Sequence, residues 1–278
     1  MGYASEQTGL EEARLTRHAG LGDLELLTAR YRDHAYALHT HDSYVFGVVV
    51  AGAEKLRINR QAYLAPAGSI IVVNPEDPHD GEKGCDAGWA YRTCYPRAEL
   101  MREVAEDLEL GHLPMFRQGI LDAPDLASDF VRAHRLAVAG RTMEAETAML
   151  MALRGLTRRF ADLDGRNPSA DDSEAARRVG LYRDLIEADL ASAFDLGGLA
   201  NAAHVTRFQV IRDFKRVSGM TPGQYLRDCR IHAASALMRT DKSLAEIAFE
   251  TGFADQSHLT RLFKSMRGLP PGAFREAK

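Results

Sequence analysis

A twelve-residue stretch near the end of the chain occurs twice, and this repeat limits the possible folds more than any other feature. FKRVSGMTPGQY at 214–225 aligns with FKSMRGLPPGAF at 263–274, an offset of 49 residues. Upstream, LANAA at 199–203 aligns with IAFET at 247–251 at an offset of 48. Each copy has the pattern of a helix, a tight turn, a second helix and a Gly-x-x-Pro stop, so the sequence predicts a helix-turn-helix unit present twice.

Local signals mark the ends of these helices. Ser243 and Glu246 have the spacing of a capping box, and Asp255 precedes the next helical pattern as an N-cap residue. Between them, Gly252 stands where a helix ends and a positive φ costs glycine little. Thr206 is the corresponding cap in the first copy. We therefore predict units at about 195–218 and 243–267, joined by one long helix.

The second helix of each unit has a polar and cationic outer face. Its apolar stripe, Leu259, Leu262, Phe263 and Met266 in the second copy, is expected to face inward. Arg, Gln, Ser and His then point to solvent, and these side chains can hydrogen-bond to base edges in a major groove. Two such helices in successive grooves would lie about 34 Å apart. A solvated helical bundle is the alternative.

SLAEIAFETGFADQSHLTRLFKSMRGLPPGAFR (243–275) closely resembles the signature of the AraC/XylS family of bacterial transcription regulators, and the resemblance extends over roughly 181–275. It implies a DNA-binding domain of about seven helices, in which the third and sixth are recognition helices. It also implies promoter DNA, RNA polymerase, a small-molecule effector and a second copy of the chain as partners. His204 departs from the pattern, because the family often has glycine there.

The resemblance also assigns roles to residues on the two recognition helices. Base contacts are expected from Phe208, Ile211, Arg212, Ser257, His258 and Arg261. Phosphate contacts, which set register, are expected from Lys215, Gln256 and Lys264.

The N-terminal part has a β pattern. From Leu24 to Tyr95, short runs rich in Val, Ile and Tyr alternate with Gly, Pro and Asn, which predicts a small barrel or sandwich. From Arg97 the pattern becomes helical. We expect an α+β protein of two domains: a cupin-like effector-sensing domain at 1–165 (barrel about 20–96, helices about 97–163), a linker at 164–173 and a helical DNA-binding domain at 174–278.

The β segment also resembles the cupin-like sensor domain common in this family, and it contains a histidine cluster. His39 and His41 are two residues apart on a predicted strand, and His79 follows another strand. Metal-binding cupins typically add a glutamate a few residues after the His-x-His pair, whereas the positions after His41 read Asp-Ser-Tyr-Val-Phe, without a glutamate. We favour no metal and no cofactor, with a divalent ion held by the three imidazoles as the alternative. The predicted effector-binding residues are His39, His41, Tyr44, His79, Trp89 and Arg92.

A stripe of apolar residues in the last N-terminal helix has two interpretations. Met149, Leu153, Leu156 and Phe160 recur at 4-3-4 spacing. They pack either against their own domain or against a partner subunit.

Bulk properties exclude several classes of protein. Residues 174–278 have a net charge of +4 and the remainder −8, which is compatible with a polyanionic partner for the C-terminal part. The three cysteines form no CxxC pair, and no apolar signal or membrane segment is present, so a cytoplasmic protein without a membrane partner is expected. Phosphate-loop, dinucleotide, HExxH and GxSxG motifs are also missing.

These observations favour a DNA-binding regulator that is not an enzyme. The alternatives are a metal-dependent cupin enzyme or metal sensor fused to a DNA-binding domain, and a constitutive regulator whose barrel only dimerises.

Overall fold

The computed structural model describes residues 11–162, 174–191 and 195–277, and within them it has the predicted α+β, two-domain architecture. The predicted linker at 164–173 lies outside the described residues. Residues 11–162 are called the β-domain below. Residues 174–277 form the helical domain.

The strands of the β-domain follow one another closely along the chain. They are β1 (Glu12–His18), β2 (Leu24–Tyr31), β3 (Ala35–His39), β4 (Val45–Ile58), β5 (Gln61–Pro66), β6 (Ile70–Val73), β7 (His79–Lys83), β8 (Trp89–Tyr95), β9 (Met115–Phe116), β10 (Ile120–Leu121) and β11 (Ala161–Asp162). One sheet has the order β1-β2-β8-β4-β6-β10, and β3, β7 and β5 assemble around the second half of β4. β9 pairs with β11 as a separate ribbon.

The long strand β4 belongs to both sheets. Its first half pairs with β6 and β8, and its second half pairs with β5 and β7. The register shifts between Val49 and Ala51, and Gly52 follows with φ +69°. A Cβ on Gly52 would lie 2.0 Å from the carbonyl oxygen of Gly88, so only glycine fits this close approach. The predicted barrel is therefore two sheets that share one bent strand, and the described strands do not close into a continuous ring.

Three helices cover one face of this sandwich: α1 (Ala98–Asp107), α2 (Pro124–Val138) and α3 (Thr142–Phe160). Met149, Leu153 and Leu156 are fully buried in the core that these helices form with β2, β4 and β6. Phe160 packs against the same core. The apolar stripe of α3 is thus internal packing, and the alternative of a subunit seam at this stripe is wrong because its side chains are already covered.

The helical domain has the predicted helix order in its described residues. Its helices are α4 (Glu174–Ala188), α5 (Leu196–Ala202), α6 (Arg207–Ser218), α7 (Pro222–Leu237), α8 (Leu244–Glu250), α9 (Gln256–Arg267) and α10 (Pro271–Glu276). The first unit consists of α5 and α6, the second of α8 and α9, and α7 joins them. The third and sixth helices, α6 and α9, are therefore in the positions predicted for recognition helices.

The predicted caps are present. Ser243 and Glu246 form a reciprocal capping box, and the carboxylate of Asp255 accepts a hydrogen bond from the backbone N–H of His258. The hydroxyl of Thr206 accepts one from the backbone N–H of Gln209, and Gly252 has φ +77°. His204, where the family often has glycine, has φ +53°, so the turn of the first unit keeps its left-handed geometry at the cost of some strain.

The two units differ in what covers their apolar faces. The first unit has its own core with α4 and α7, built around Tyr182, Phe214 and Leu226. The second unit shares a core with the β-domain, in which Phe263 and Met266 of α9 belong to the same buried cluster as Tyr31, Trp89 and Tyr91. This shared cluster is called the interdomain core below.

No helix among the described residues is both long enough and apolar enough to cross a membrane.

Candidate functional site

A cavity of about 170 Å³ lies between the β-domain and the second helix-turn-helix unit. This volume has room for on the order of ten water molecules, or for a small organic molecule of that size. On the β-domain side its walls include His39, His41, Glu54, His79, Tyr36, Tyr91 and Tyr95. On the helical side they include His232, Ser235, Arg239, Met266, Arg267 and Phe274. A ligand in this cavity would therefore contact both domains.

The three predicted histidines meet at the base of this cavity. The side chains of His39, His41 and His79, called the histidine cluster below, are buried, and one nitrogen from each lies within 4.8 Å of the others. His39 hydrogen-bonds through Nδ1 to the carbonyl oxygen of Ala37 at 2.8 Å, and His79 does so through Nδ1 to that of Asp77 at 2.9 Å. These carbonyls fix both tautomers, since a carbonyl only accepts, and both Nε2 atoms are therefore free of hydrogen.

Burial keeps the cluster uncharged. It lowers the pKa of the His39 and His41 side chains well below the usual value, and it lowers that of His79 as well. The guanidinium of Arg267 depresses the pKa of His41 further. Three neutral imidazoles in one place are the donor set that zinc, nickel and copper ions prefer in proteins.

A buried carboxyl group faces the same cavity. Glu54 on β4 is 7% exposed, and burial raises its pKa to about 8. Its Oε1 lies directly over Gly81, where any Cβ would come within 2.3 Å of it. No residue in the described part of the chain forms an ion pair with Glu54. A buried carboxyl without a charged partner is characteristic of a functional site, because it is costly unless a ligand uses it.

Hydrogen-bonded tyrosines connect the cavity to the second unit. The hydroxyls of Tyr36 and Tyr91 are 2.6 Å apart, and those of Tyr31 and Tyr36 are 3.1 Å apart. The hydroxyl of Tyr31 donates to the carbonyl oxygen of Gly268 at 2.9 Å. Gly268 is the C-cap residue of α9. The β-domain therefore holds the C-terminal end of a recognition helix directly.

Further polar contacts reinforce this attachment. Thr40 donates through its hydroxyl to Asp228 of α7 at 2.5 Å, and its backbone N–H lies 3.2 Å from the same carboxylate. The carbonyl oxygen of Thr40 accepts from His232 at 3.0 Å. Asp228 is buried, so this contact is shielded from solvent. Arg17 reaches the carbonyl oxygens of Phe274 and Ala277 beyond α9.

Arg267, at the end of recognition helix α9, reaches the histidine cluster. Its Nη1 lies 2.7 Å from Nδ1 of His41, and its Nε is buried without a hydrogen-bond partner in the described structure. Nothing in the sequence around Arg267 indicates this contact. Arg267 lies one turn after Lys264 on α9, and cations are common in the last turn of a helix, where they interact with its dipole. Its contact with the histidine cluster arises only when the two domains dock.

Three of the predicted effector-binding residues lie away from the cavity. Tyr44 points into the core beneath α1–α3, where its hydroxyl donates to the carbonyl oxygen of Pro114 at 2.8 Å. Arg92 faces α2 on the opposite side of β8 from Tyr91, and its Nη1 is 3.4 Å from His134. Trp89 lies on the Tyr91 side, but it packs beside Tyr31 in the interdomain core. The remaining three, the histidines, line the cavity.

The predicted DNA-contacting residues form two largely exposed faces. Phe208 is 75% exposed, so its ring is accessible to a partner. Exposed side chains on the two helices include Arg212, Lys215, Gln256, Ser257, Arg261 and Lys264. Ile211 is half-buried, and His258 is half-buried against the ring of Phe253.

A buried ion pair orients the first recognition helix. Arg178 of α4 bonds to both carboxylate oxygens of Asp213, at 2.7 and 3.2 Å, and Asp213 is buried. Gln209 donates to the same carboxylate at 2.7 Å and accepts from Arg212 at 2.6 Å. The predicted base-contacting guanidinium of Arg212 is thereby connected to the core.

We expect Arg261→Ala to weaken binding to the preferred DNA site by about 1–3 kcal/mol and to relax specificity at one base pair, because an arginine bidentate to guanine reads sequence. Fluorescence anisotropy with a panel of single-base variants of the site measures this. Lys264→Ala is the matched control: it should lower the salt dependence by about one unit while leaving base preference intact. Uniform weakening by Arg261→Ala across all sites would contradict the assignment.

Two protein-family models match the chain. A family model described as an AraC-like ligand binding domain matches residues 21–153. A model described as a helix-turn-helix domain matches residues 199–277. The first match contains the histidine cluster, and the second contains both recognition helices.

Two curated relatives extend over most of the chain. The uncharacterized HTH-type transcriptional regulator YbfI of Bacillus subtilis (strain 168) is 28% identical over 223 residues, which cover 80% of each protein. The HTH-type transcriptional activator RhaR of Klebsiella pneumoniae is 25% identical over 261 residues, covering 89% of this chain and 90% of RhaR.

Among solved structures, the chain is similar to that of an apo form of a ToxT point variant from Vibrio cholerae strain SCE256, with a TM-score of 0.54, 14% identity and 98% coverage of both chains. A structure of wild-type ToxT with a bound unsaturated fatty acid has the same TM-score and identity. At this identity the likeness concerns the fold alone, and it extends over both domains.

Proposed function

Since the chain belongs to the AraC/XylS family of DNA-binding transcription regulators, we propose that a small molecule bound in the interdomain cavity controls how the second helix-turn-helix unit engages DNA. The two matched models cover the sensor and DNA-binding parts separately, and the regulators named above match both together. No catalytic turnover is proposed.

The observation that carries this proposal is the composition of the cavity wall. Met266 and Arg267 of recognition helix α9 face the same space as Glu54 and the histidine cluster. Any molecule that fills the space changes the contacts that hold α9 against the β-domain. In the docked arrangement α9 lies against the β-domain, and in the undocked arrangement it is released. A ligand shifts the free-energy difference between these two arrangements by the difference in its binding free energy to them, typically about 1–3 kcal/mol.

The polar groups of the cavity indicate the chemistry of the effector. Glu54 offers a carboxyl without a charged partner, and Arg267 offers a guanidinium that uses only part of its hydrogen-bonding capacity. We propose a small polar metabolite that has a donor or cationic group for Glu54 and an acceptor or anionic group for Arg267. The fatty acid of ToxT belongs to that protein, and Glu54 argues against a purely apolar chain at this position.

A thermal-shift screen of amino acids, sugars and organic acids tests this proposal, followed by footprinting of upstream promoter DNA with each stabilising compound. A compound that raises the melting temperature and changes DNA affinity supports it. If compounds bind but none changes DNA affinity, the constitutive alternative, in which the β-domain only dimerises, replaces it.

Thr40→Val should weaken the coupling between effector and DNA. The variant removes the hydroxyl that bonds to Asp228 across the domain boundary. We expect the ratio of DNA dissociation constants with and without effector to move several-fold towards one, because part of the docked state's stabilisation is lost. Anisotropy titrations with and without the effector measure this ratio. Thr147→Val is the matched control, since that hydroxyl bonds within its own helix, to Met143. If the ratio is unchanged in Thr40→Val, the hydrogen bond between Thr40 and Asp228 does not couple the effector to DNA binding.

We further propose that the protein acts in the cytoplasm as a homodimer at promoters, where it contacts RNA polymerase. The surface that supports a dimer is the outer face of α3, where Met143 is 80% and Met151 is 59% exposed. Sedimentation of the wild type against the double variant Met143→Glu/Met151→Glu tests it, and a dimer that persists in the variant would place the interface elsewhere.

A further inference from the structure

Arg267 and the histidine cluster are connected by a chain of hydrogen bonds with only one consistent direction. A guanidinium has no acceptor, so Arg267 must donate to Nδ1 of His41. A neutral His41 whose Nδ1 accepts must have its hydrogen on Nε2. That Nε2 lies 3.2 Å from Nε2 of His39, which is free to accept because Nδ1 of His39 donates to Ala37.

While Arg267 holds this proton arrangement, the cluster cannot bind a metal ion. An ion between the three imidazoles would be bound by the Nε2 atoms, because the Nδ1 atoms of His39 and His79 are held by carbonyl oxygens. A ligating Nε2 cannot have a hydrogen, so His41 would have to move its hydrogen to Nδ1. Two donors, the new N–H of His41 and the N–H of Arg267, would then face each other.

The separations within the cluster suit a transition-metal ion. Nitrogen ligands about 2.0–2.1 Å from a tetrahedral zinc ion are about 3.3–3.4 Å apart. The Nε2 atoms of His39 and His41 are 3.2 Å apart, and the ligand atom of His79 lies within 4.8 Å of both. A small inward movement of His79 completes a set of three imidazole donors without backbone rearrangement. The set contains no carboxylate and so favours zinc, nickel or copper over magnesium or calcium.

We propose that the histidine cluster binds one divalent transition-metal ion in competition with Arg267, so that metal binding releases recognition helix α9 from the β-domain. The balance is simple: the ion takes the lone pair of His41 Nε2, the hydrogen on that atom moves to Nδ1, and Arg267 withdraws. Metal binding and the docking of α9 are linked equilibria. A ligand that undocks α9 must therefore raise the affinity for the metal by the same factor by which the metal raises the affinity for that ligand. Metal binding itself stands on the cluster geometry, and only its effect on transcription rests on the proposed function.

The test uses the full-length protein, zinc ions and a chromophoric chelator that competes for them. We expect one zinc ion per chain in the wild type and its loss in His39→Ala. In Arg267→Met, which keeps the length and packing of the side chain, we expect zinc to bind at least about tenfold more tightly, because the competing hydrogen bond is gone. His204→Asn, at an exposed histidine of the helical domain, is the control and should leave zinc binding unchanged.

Trp89 reports on the release without any label, since it is the chain's only tryptophan and is buried in the interdomain core. Zinc should shift its emission to longer wavelength in the wild type, and the shift should be absent in His39→Ala. Equal zinc affinity in the wild type and Arg267→Met, or stoichiometric zinc without a change in emission, would overturn the competition.

The outcomes separate this inference from the proposed function. If zinc fails to bind while an organic effector changes both emission and DNA affinity, the metal switch is wrong and the effector-controlled regulator stands. If zinc binds and shifts the emission but DNA affinity stays constant, the switch stands and the regulatory role of the cavity is wrong.

Discussion

Glu54→Gln should stabilise the protein by about 3 kcal/mol at pH 7. The carboxyl of Glu54 ionises near pH 4.5 in the unfolded chain but only near pH 8 in the folded one. Between these values the folded state retains a proton that the unfolded state has released, so stability falls as the pH rises. Each unit of this difference is worth about 1.4 kcal/mol. Glutamine has the shape of the protonated side chain and never ionises, so the variant loses this pH dependence.

Urea denaturation at pH 5 and pH 8 measures the effect. The wild type should lose stability between the two conditions relative to Glu54→Gln, and at pH 5 the two proteins should differ by only about 1 kcal/mol. Glu82→Gln is the matched control on the neighbouring strand β7, where the carboxylate is half-exposed and paired with Lys55. It should change stability by less than about 0.5 kcal/mol. Parallel pH profiles for the wild type and Glu54→Gln would show that Glu54 is ionised in the folded protein.

Asp213→Ala should cost about 2–3 kcal/mol of stability in the helical domain, because it leaves the partly buried guanidinium of Arg178 with only the exposed Glu174 as a partner. Gln209 loses its acceptor at the same time, and its hold on Arg212 is weakened. The variant should therefore discriminate poorly among bases in the half of the DNA site that α6 contacts, called the first half-site below, even at temperatures where it remains folded.

Denaturation followed by circular dichroism measures the loss of stability. Fluorescence anisotropy with DNA sites mutated in one half at a time measures the loss of base discrimination. Asp129→Ala is the control, because its ion pair with Arg132 lies at the surface, with more than half of each side chain exposed. That variant should stay within about 0.5 kcal/mol of the wild type. Normal reading of the first half-site by a folded Asp213→Ala protein would show that Arg212 is not oriented through this network.

The helical domain could be predicted almost completely, because its signals are local. Caps such as Ser243 with Glu246, the turn at Gly252 and the apolar stripe of α9 all lie within a few residues of the structure they specify. The histidine cluster could also be predicted, since a two-residue spacing in extended chain places His39 and His41 on the same side. The structure corrects one detail, because β3 ends at His39 and His41 lies two residues beyond it. His79 pairs with His39 across β3 and β7.

The remainder depends on contacts between residues far apart in the sequence. Arg92 and Tyr91 face opposite sides of β8. Helix α2 covers the side of Arg92, and the second unit docks on the side of Tyr91, where the cavity lies. Arg267 and His41 are 226 residues apart, so nothing near either one predicts their contact. Glu54 could not be assigned to the cavity from the sequence, because the alternation of sides along β4 is interrupted by the bend that carries the strand from one sheet to the other.

The unequal cores of the two helix-turn-helix units have a consequence for the promoter. The first unit is covered by its own domain, whereas the second completes its core with the β-domain. The cavity wall includes Met266 and Arg267 of the second unit but no residue of α5 or α6, so filling the cavity acts directly on the second unit. On an operator with two half-sites, one would be occupied whenever the protein is present, and the other would respond to the cell's chemistry. Promoter variants that damage the first half-site should abolish regulation altogether, while those that damage the second should leave occupancy that no longer responds to the signal.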